Sequence, residues 1–519
     1  MADEAIESFW EELDSGEIHI RDQWQFALKS EFSPQEGAKP SEYTQEFYFF
    51  IPSSLQINAN TYTKSAFYLD ETNFIRYKTP EFSLEQLLDP HSPLSPLARI
   101  VFLCQQEDDE QHRDSLSDEL KLLANVVRST LRREVRELVM ILNNRDAAFV
   151  PHDFTERVLR LCRQLQQLRE LFSHAEKHCL DNWHDPLFYR QMLYIDEFMS
   201  YSISHYLTGL LESIRLTGRT DLSAGDEALC DVLLQEKQLS DLFINHGGKS
   251  KHVDGETKES VLYRYSLLNK FVLEALQLAT NRFSLDQQYQ HWIAGASAGI
   301  AMMIYFSLFI WLGNVFVINS APFVILTVVC YVLKDRIKEW LRTLSYSHAS
   351  RWFPDYTTVI KAQGGRGKMG VMKESFSFLE PQQLPEEIKT IRNAEFHSVL
   401  ETVQRPENII FYKRVVDIQA LPTHARRHGI NIIFRFNIHD FLRKASDPSE
   451  THLVIDPATR QLVSIRLPKV YHLNLIMCST KVEPGKPPIR ELKKLRIILD
   501  KKGIKRIEQV SKNGGSVAF

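Results

Sequence analysis

The stretch from Trp292 to Leu333 constrains this chain more than any other. It reads WIAGASAGIAMMIYFSLFIWL, then Gly313-Asn314, then VFVINSAPFVILTVVCYVL, and no Asp, Glu, Lys or Arg interrupts it. Each half is about the length that a helix needs to cross roughly 30 Å of hydrocarbon at about 1.5 Å per residue. A buried hairpin in a soluble core could be as apolar, but core helices are usually shorter and keep a polar edge. The expectation is a two-helix transmembrane hairpin.

Most of the remaining mass lies outside the bilayer, because the mean hydropathy of -0.26 is that of a soluble protein. The N-terminus, MADEAIESFWEELDSGE, has neither the basic segment nor the apolar core of a signal peptide, so residues 1–290 are expected to stay where they are made. Six scattered cysteines, with no CxxC, fit reduced thiols in a cytosol better than a disulfide framework. The charge is divided. From Lys334 onward there are 33 Lys+Arg against 19 Asp+Glu, a balance of +14, which leaves -18 for residues 1–333. An acidic half and a basic half suggest different neighbours for each, or attraction between them.

Taken in order, residues 1–14 space Ile6, Phe9, Trp10 and Leu13 for one helical face. The runs IHIRDQWQFALKSEF and YTQEFYFFIPSSLQI read as paired strands, and SAFYLDETNFIRYKTPEF as a hairpin turning at Asp70–Asn73. From Leu116 to Leu142 apolar residues step by threes and fours. After a loop, Asp153 and Glu156 form a capping box for a helix whose face is Phe154, Val158, Leu161, Leu165, Leu168 and Leu171. Further helices are expected at 187–215 and 226–245, with a flexible break at 245–259. A stalk helix from Ser260 then feeds the first crossing. Beyond a basic, glycine-rich loop near 361–370 the period shortens to two. NIIFYKRVVDI, INIIFRFNI, THLVID, QLVSIRL, VYHLNLIMC, KLRIIL and IKRIE read as seven strands, with turns at Asp456–Thr459 and Asp500–Gly503.

The predicted architecture is an α+β multidomain membrane protein. A small mixed α/β domain (1–105) precedes a helical region with its stalk (115–290) and the transmembrane hairpin (292–333). A membrane-proximal helix with a basic linker (334–404), an antiparallel β domain (405–510) and a disordered tail (511–519) follow.

Gly295 and Gly299 form a GxxxG through which helix backbones in lipid approach closely. Lys334, Arg336, Lys338 and Arg342 crowd the exit of the second crossing. With Lys493, Lys494, Lys501 and Lys502 they form the set expected to lie against anionic lipid. His174, His178, Cys179, His184 and Asp185 are the densest metal-capable group, but HExxH order is missing, and helix-end surface histidines explain them better. His424 and His428 share the spacing, with arginines between them. Gly364, Gly365, Gly367 and Lys368 fail Walker A spacing. No GxSxG or kinase set occurs, so no cofactor, metal or catalytic residue is assigned.

The leading expectation is a membrane-anchored scaffold or regulatory protein of a bacterial inner (plasma) membrane, both termini cytoplasmic. Its partners are the bilayer and a protein bound by the N-terminal region. Nucleic acid is the less favoured polyanion, since the strands show few aromatics for base stacking. The alternatives are an oligomeric pore-forming effector and an enzyme whose site is dispersed in sequence.

Overall fold

The computed structural model describes residues 18–32, 41–106, 109–143, 150–182, 186–246, 256–284, 286–315, 320–352, 354–362, 367–393, 406–418, 429–455, 460–482, 487–510 and 516–518, with isolated positions 6, 9, 10, 13 and 457. The class is α+β: long helices, large antiparallel sheets and an extended helical hairpin.

The sheets merge the two ends of the chain. A small sheet orders β1 (Ile18–Asp22), β2 (Gln25–Phe32), β9 (Ile430–Asn437) and β4 (Glu71–Tyr77). The large sheet runs from β15 (Ser516–Ala518) through β14 (Gly503–Val510), β13 (Ile489–Asp500) and β12 (Tyr471–Val482) to β3 (Ser41–Pro52). It continues through β8 (Glu407–Ile418), β7 (Lys368–Leu379) and β6 (Tyr356–Lys361) to β5 (Ala279–Ser284). The expected separate domains at 1–105 and 405–510 are thereby corrected, since β3 sits between β12 and β8. Its sequence gives the reason. Phe47 and Phe49 bury on one face and Tyr48 and Phe50 on the other, so this strand must be covered on both sides. β3 therefore does not pair with β2, as the sequence suggested. Phe26, Phe47, Phe49, Phe434 and Phe436 fill the space between the sheets, and burying each such ring contributes about 1.5–3 kcal/mol.

All seven C-terminal runs are strands, but they do not close into one domain. β9 goes to the small sheet, and β10 (Ser449–Ile455) with β11 (Leu462–Pro468) stands apart as an exposed two-stranded hairpin. In the β13–β14 turn the Asp500 carboxylate accepts from the backbone N–H groups of Lys502 and Gly503, and Gly503 takes φ 137°. Three further expectations are corrected. The hairpin at Asp70–Asn73 is instead α1 (Lys64–Asp70), capped by Thr63, leading into β4. The tail contributes β15. The basic linker expected within 334–404 carries β6 and β7 instead, joined by the glycine-rich segment, of which 363–366 lie outside the described residues.

The helical region packs as its periodicity demands. α2 (Leu84–Leu88) and α3 (Pro96–Cys104) lead to α4 (Glu110–Asn143), which buries Leu116, Leu120, Leu123, Val127, Leu131 and Val135. α5 (Pro151–Asn182) starts two residues before the proposed cap, so Asp153 sits in its first turn rather than ahead of it. α6 (Pro186–Leu216) packs between α4 and α7 (Ser223–His246), and α8 (Glu256–Leu273) rests on α4 and α6. The N-terminal apolar residues dock on α6, where Phe9 lies so close to Gly209 that a Cβ there would strike its ring. Cys104 and Cys179, both buried, form a disulfide from α3 to α5. For this pair the expectation of reduced thiols is corrected.

The stalk is not continuous. After α8 the chain extends into β5, held by pairing with β6, before α9 (Asp286–Val315) begins. α9 and α10 (Ala321–Trp352) form an antiparallel helical hairpin, with Tyr305 against Tyr331. Ala294–Val315 is long and apolar enough to cross a bilayer. The second helix is apolar only from Ala321 to Leu333, about 20 Å at about 1.5 Å per residue. The turn expected somewhere in Gly313–Pro322 falls between Val315, where the first helix ends, and Ala321, where the second starts. A hairpin of two full-length crossings is therefore not what the fold shows.

Candidate functional site

The outward and return ends of the helical hairpin meet a buried polar network between the two sheets. Ser284, two residues before α9, begins a cross-strand row that runs through Tyr356, Glu374, Arg414 and Gln45 to Ser479. Side chains in one row share a face, so the row sets charged groups among the aromatic rings of the inter-sheet core.

Arg414 is its centre and is fully buried. Its guanidinium donates to Gln45 Oε1 (2.6 Å), Asn73 Oδ1 (2.8 Å) and Ser30 Oγ (3.1 Å), and lies over the Phe47 ring. Asn73 carries the network onward, donating from Nδ2 to Glu374 Oε1 (2.9 Å), which also accepts from the Tyr412 hydroxyl (2.8 Å). Arg282 of β5 reaches Glu374 Oε2 at 3.2 Å and Glu71 Oε2 at 3.4 Å, stacked over Tyr356. Glu71 Oε1 is buried with no hydrogen-bond partner among the described residues. Asp355, three residues after α10, accepts from the Tyr68 hydroxyl and the Phe376 N–H and pairs with Lys64.

Burial is the main force on both carboxyls. It raises Glu71 to about 8, with Glu374 adding repulsion and Arg282 opposing it. Glu374 is also raised by burial, against the pull of Arg282, Tyr412 and Asn73. Burial lowers Arg414. Burial thus biases both carboxyls of this clasp towards the protonated form. Arg282 ties two carboxyls from the body to the strand that becomes the first hairpin helix.

The sign of its pH response follows. A carboxyl raised in the folded state contributes stability that is full below its unfolded value near 4.5 and lost as pH rises through about 8. Thermal unfolding should show stability falling over that window, by up to about 1.4 kcal/mol per pH unit for one proton. Glu71→Gln should flatten the slope; an unchanged slope would show that Glu71 does not carry the proton.

The residues picked from sequence lie elsewhere. Ser297 and Ala301 of α9 are buried in the hairpin, whereas Gly295 and Gly299 face outward with nothing within 4 Å of an added Cβ. The Tyr305–Tyr331 contact places Lys334 about level with Met302 in an antiparallel pair, and its ammonium sits over Tyr331 at 3.9 Å. Arg336 and Lys338 are exposed, and the Arg342 side chain is outside the described residues. Lys494 leaves the lipid-facing set, because it is 5% exposed and donates to the Ile391 carbonyl inside the protein. Lys493 pairs with Glu491. Lys501 and Lys502 lie exposed in the β13–β14 turn, where Lys501 binds Asp447 at 2.8 Å beside the base of the β10–β11 hairpin.

The metal reading loses Cys179 to its disulfide, and His174 and His178 line a groove of about 290 Å³ with Leu87, Leu97, Val101 and Leu171. His184, Asp185, His424, His428, Gly364 and Gly365 are outside the described residues. Among the described residues no three metal-capable side chains converge. Glu71, Glu374, Arg414 and Arg282 were not singled out from the sequence.

No family model, no curated protein and no solved structure matches this chain.

Proposed function

We propose that this protein is a membrane-anchored scaffold or regulatory protein whose α+β body stays on the cytoplasmic side. One observation carries the reading: the apolar helical hairpin is uncovered. Met303, Ile310 and Ile325 are 70%, 63% and 63% exposed, and only 17% of the most apolar stretch of Ala294–Val315 is buried. A soluble core helix would be mostly covered, and water does not tolerate an apolar surface this continuous. Lipid is the cover proposed.

The hairpin geometry sets the depth. The second helix meets Lys334 after about 20 Å, so a full crossing needs its ammonium to snorkel along Tyr331 and the bilayer to thin. A second apolar element supports contact of the C-terminal region with anionic lipid. β10–β11 exposes Leu453, Ile455 and Leu462 on one face and Val454, Val463 and Ile465 on the other, with Lys501 and Lys502 at its base. Cations beside an anionic surface contribute about 1 kcal/mol each.

Self-association is the second reading, favoured by Gly295 and Gly299 presenting an open small-residue face that the hairpin itself does not use.

The test is extraction and labelling. The full chain should stay with membranes through alkaline carbonate, and Asp221→Cys should be protected from an impermeant thiol reagent in intact cells. Release by carbonate would remove the anchor, and labelling of Asp221→Cys would invert the orientation. Labelling of Asn314→Cys reads how deep the tip goes: reaction from outside means a full crossing, protection means insertion from one side.

A further inference from the structure

The small sheet has two faces, and only one belongs to the inter-sheet core. On the other, the pairing register sets His19, Ala27, Arg435 and Thr72 in one cross-strand row. Two and four residues along β4 from Thr72, on the same face, are Phe74 and Arg76. Arg21 follows His19 by two on β1. α4 brings Arg128 and Arg132, one turn apart, within electrostatic reach of Arg76.

Glu31, in the row of Arg76 across Asn431, is taken by Lys29 and Lys78, and no acid pairs with Arg76 or Arg435 among the described residues. Arg76 Nε and Arg435 Nε are buried with no hydrogen-bond acceptor among the described residues. Arg435 lies flat over the Phe74 ring at 3.9 Å, and Arg128 donates to the neutral amide of Asn269 at 2.6 Å while lying over Phe198. Phe74, 43% exposed, and exposed Thr72 and Arg21 leave the cleft open to solvent at one end. Buried arginine is ordinarily paired, because the desolvated charge and its donors each cost free energy when unmet. Titration agrees with the geometry. Burial and then Arg128, Arg435 and Arg132 hold Arg76 down at about 10; burial and Arg21 hold Arg435 there too. His19 is lowered by burial, then by Arg435, Arg132 and Arg21.

We infer that the cleft between this sheet face and α4 is a binding site for a phosphate-bearing dianion, with Arg76, Arg435 and Arg21 as its principal ligands. Guanidinium forks converging from three strands match tetrahedral phosphate oxygens, which accept from several directions, better than a planar carboxylate. Two negative charges answer the three guanidiniums of Arg76, Arg435 and Arg21 better than one. The phosphate could be a soluble phosphate ester or a phosphomonoester lipid headgroup, and the chemistry at the arginines is the same.

The experiment is thermal unfolding of the full-length protein in neutral detergent micelles, at matched ionic strength. Pyrophosphate is added in one arm, short-chain phosphatidic acid in another, and sodium chloride in the control. At about ten times its dissociation constant, either phosphate should raise the midpoint by about 2 °C or more. A shift with pyrophosphate identifies a soluble source; one confined to phosphatidic acid identifies a headgroup. Arg76→Gln and Arg435→Gln should abolish the shift. With phosphate absent they should leave the midpoint equal or higher, since each removes a cation from a repelling group. Arg21→Gln, at an exposed position where folding is not at stake, should weaken the response several-fold. No shift in either arm, an equal shift in Arg21→Gln and wild type, or a lowered phosphate-free midpoint in Arg76→Gln would overturn the assignment.

Discussion

Arg414→Ala should lower the unfolding midpoint of the detergent-solubilised protein by roughly 10 °C, the largest loss expected from a single side chain here. The substitution removes three donated hydrogen bonds and leaves Gln45 Oε1, Asn73 Oδ1 and Ser30 Oγ without that donor inside the inter-sheet core. It also takes a positive charge from beside Glu374 and Glu71. Breaking one member of a buried charged network typically costs about 3–5 kcal/mol, because the remaining groups stay desolvated and unpaired. Arg414→Lys should recover only part of the loss, since an ammonium on a narrower head does not reach three acceptors in the plane of a fork. A midpoint within about 2 °C of wild type for Arg414→Ala would show that the network rearranges or admits water, and that the clasp is not a structural keystone.

Removing the Cys104–Cys179 disulfide should be the next largest effect. The bond closes a loop with a sequence separation of 75, which by the chain-entropy relation corresponds to roughly 4 kcal/mol of stabilisation. Cys104→Ala with Cys179→Ala should therefore lower the midpoint by a comparable amount to Arg414→Ala, with the helical region affected first. The state of the bond in the cell is readable directly. Protein alkylated on lysis and then denatured without reductant should show four reactive thiols, the number left free by the bridge, rather than all six. Six would mean that the pair stays reduced in the living cell, and the stability difference between wild type and variant would then shrink to a packing effect. Both sulfurs are buried, which shields the bond from thiol reductants until the helices part.

Much of the local structure was legible from the sequence for simple reasons. Period-3.6 runs such as Leu116 to Val135 cover one helix face, and that face is buried in α4. Period-2 runs such as NIIFYKRVVDI alternate faces, and all seven in the C-terminal half are strands. One signal of the network was present there too. In β8 the inward positions are Tyr412, Arg414 and Val416, so an arginine interrupts an otherwise apolar face. The same holds for Glu374 between Met372 and Phe376 in β7. Read as exceptions to the alternation, they would have marked buried charges. Their partners stayed invisible.

What the sequence determined by itself was the kind of each element and which of its faces seeks cover, because those follow from backbone periodicity and from the transfer of side chains out of water. The tertiary structure decided which distant segments provide that cover. Gln45 meets Arg414 across a separation of 369 residues, and β3 enters a sheet built mainly from the other end of the chain. Strand pairing is specified by side-chain packing and register at long range, and no local pattern encodes it. The same holds for the hairpin. Its apolar character was plain in the residues, but the usable depth of its second helix depended on where α9 ends and α10 begins. The cationic cleft is the extreme case: Arg21, Arg76, Arg132 and Arg435 are unremarkable in sequence. They become a site only when a sheet face and a helix bring like charges together, where an anion is the natural counterpart.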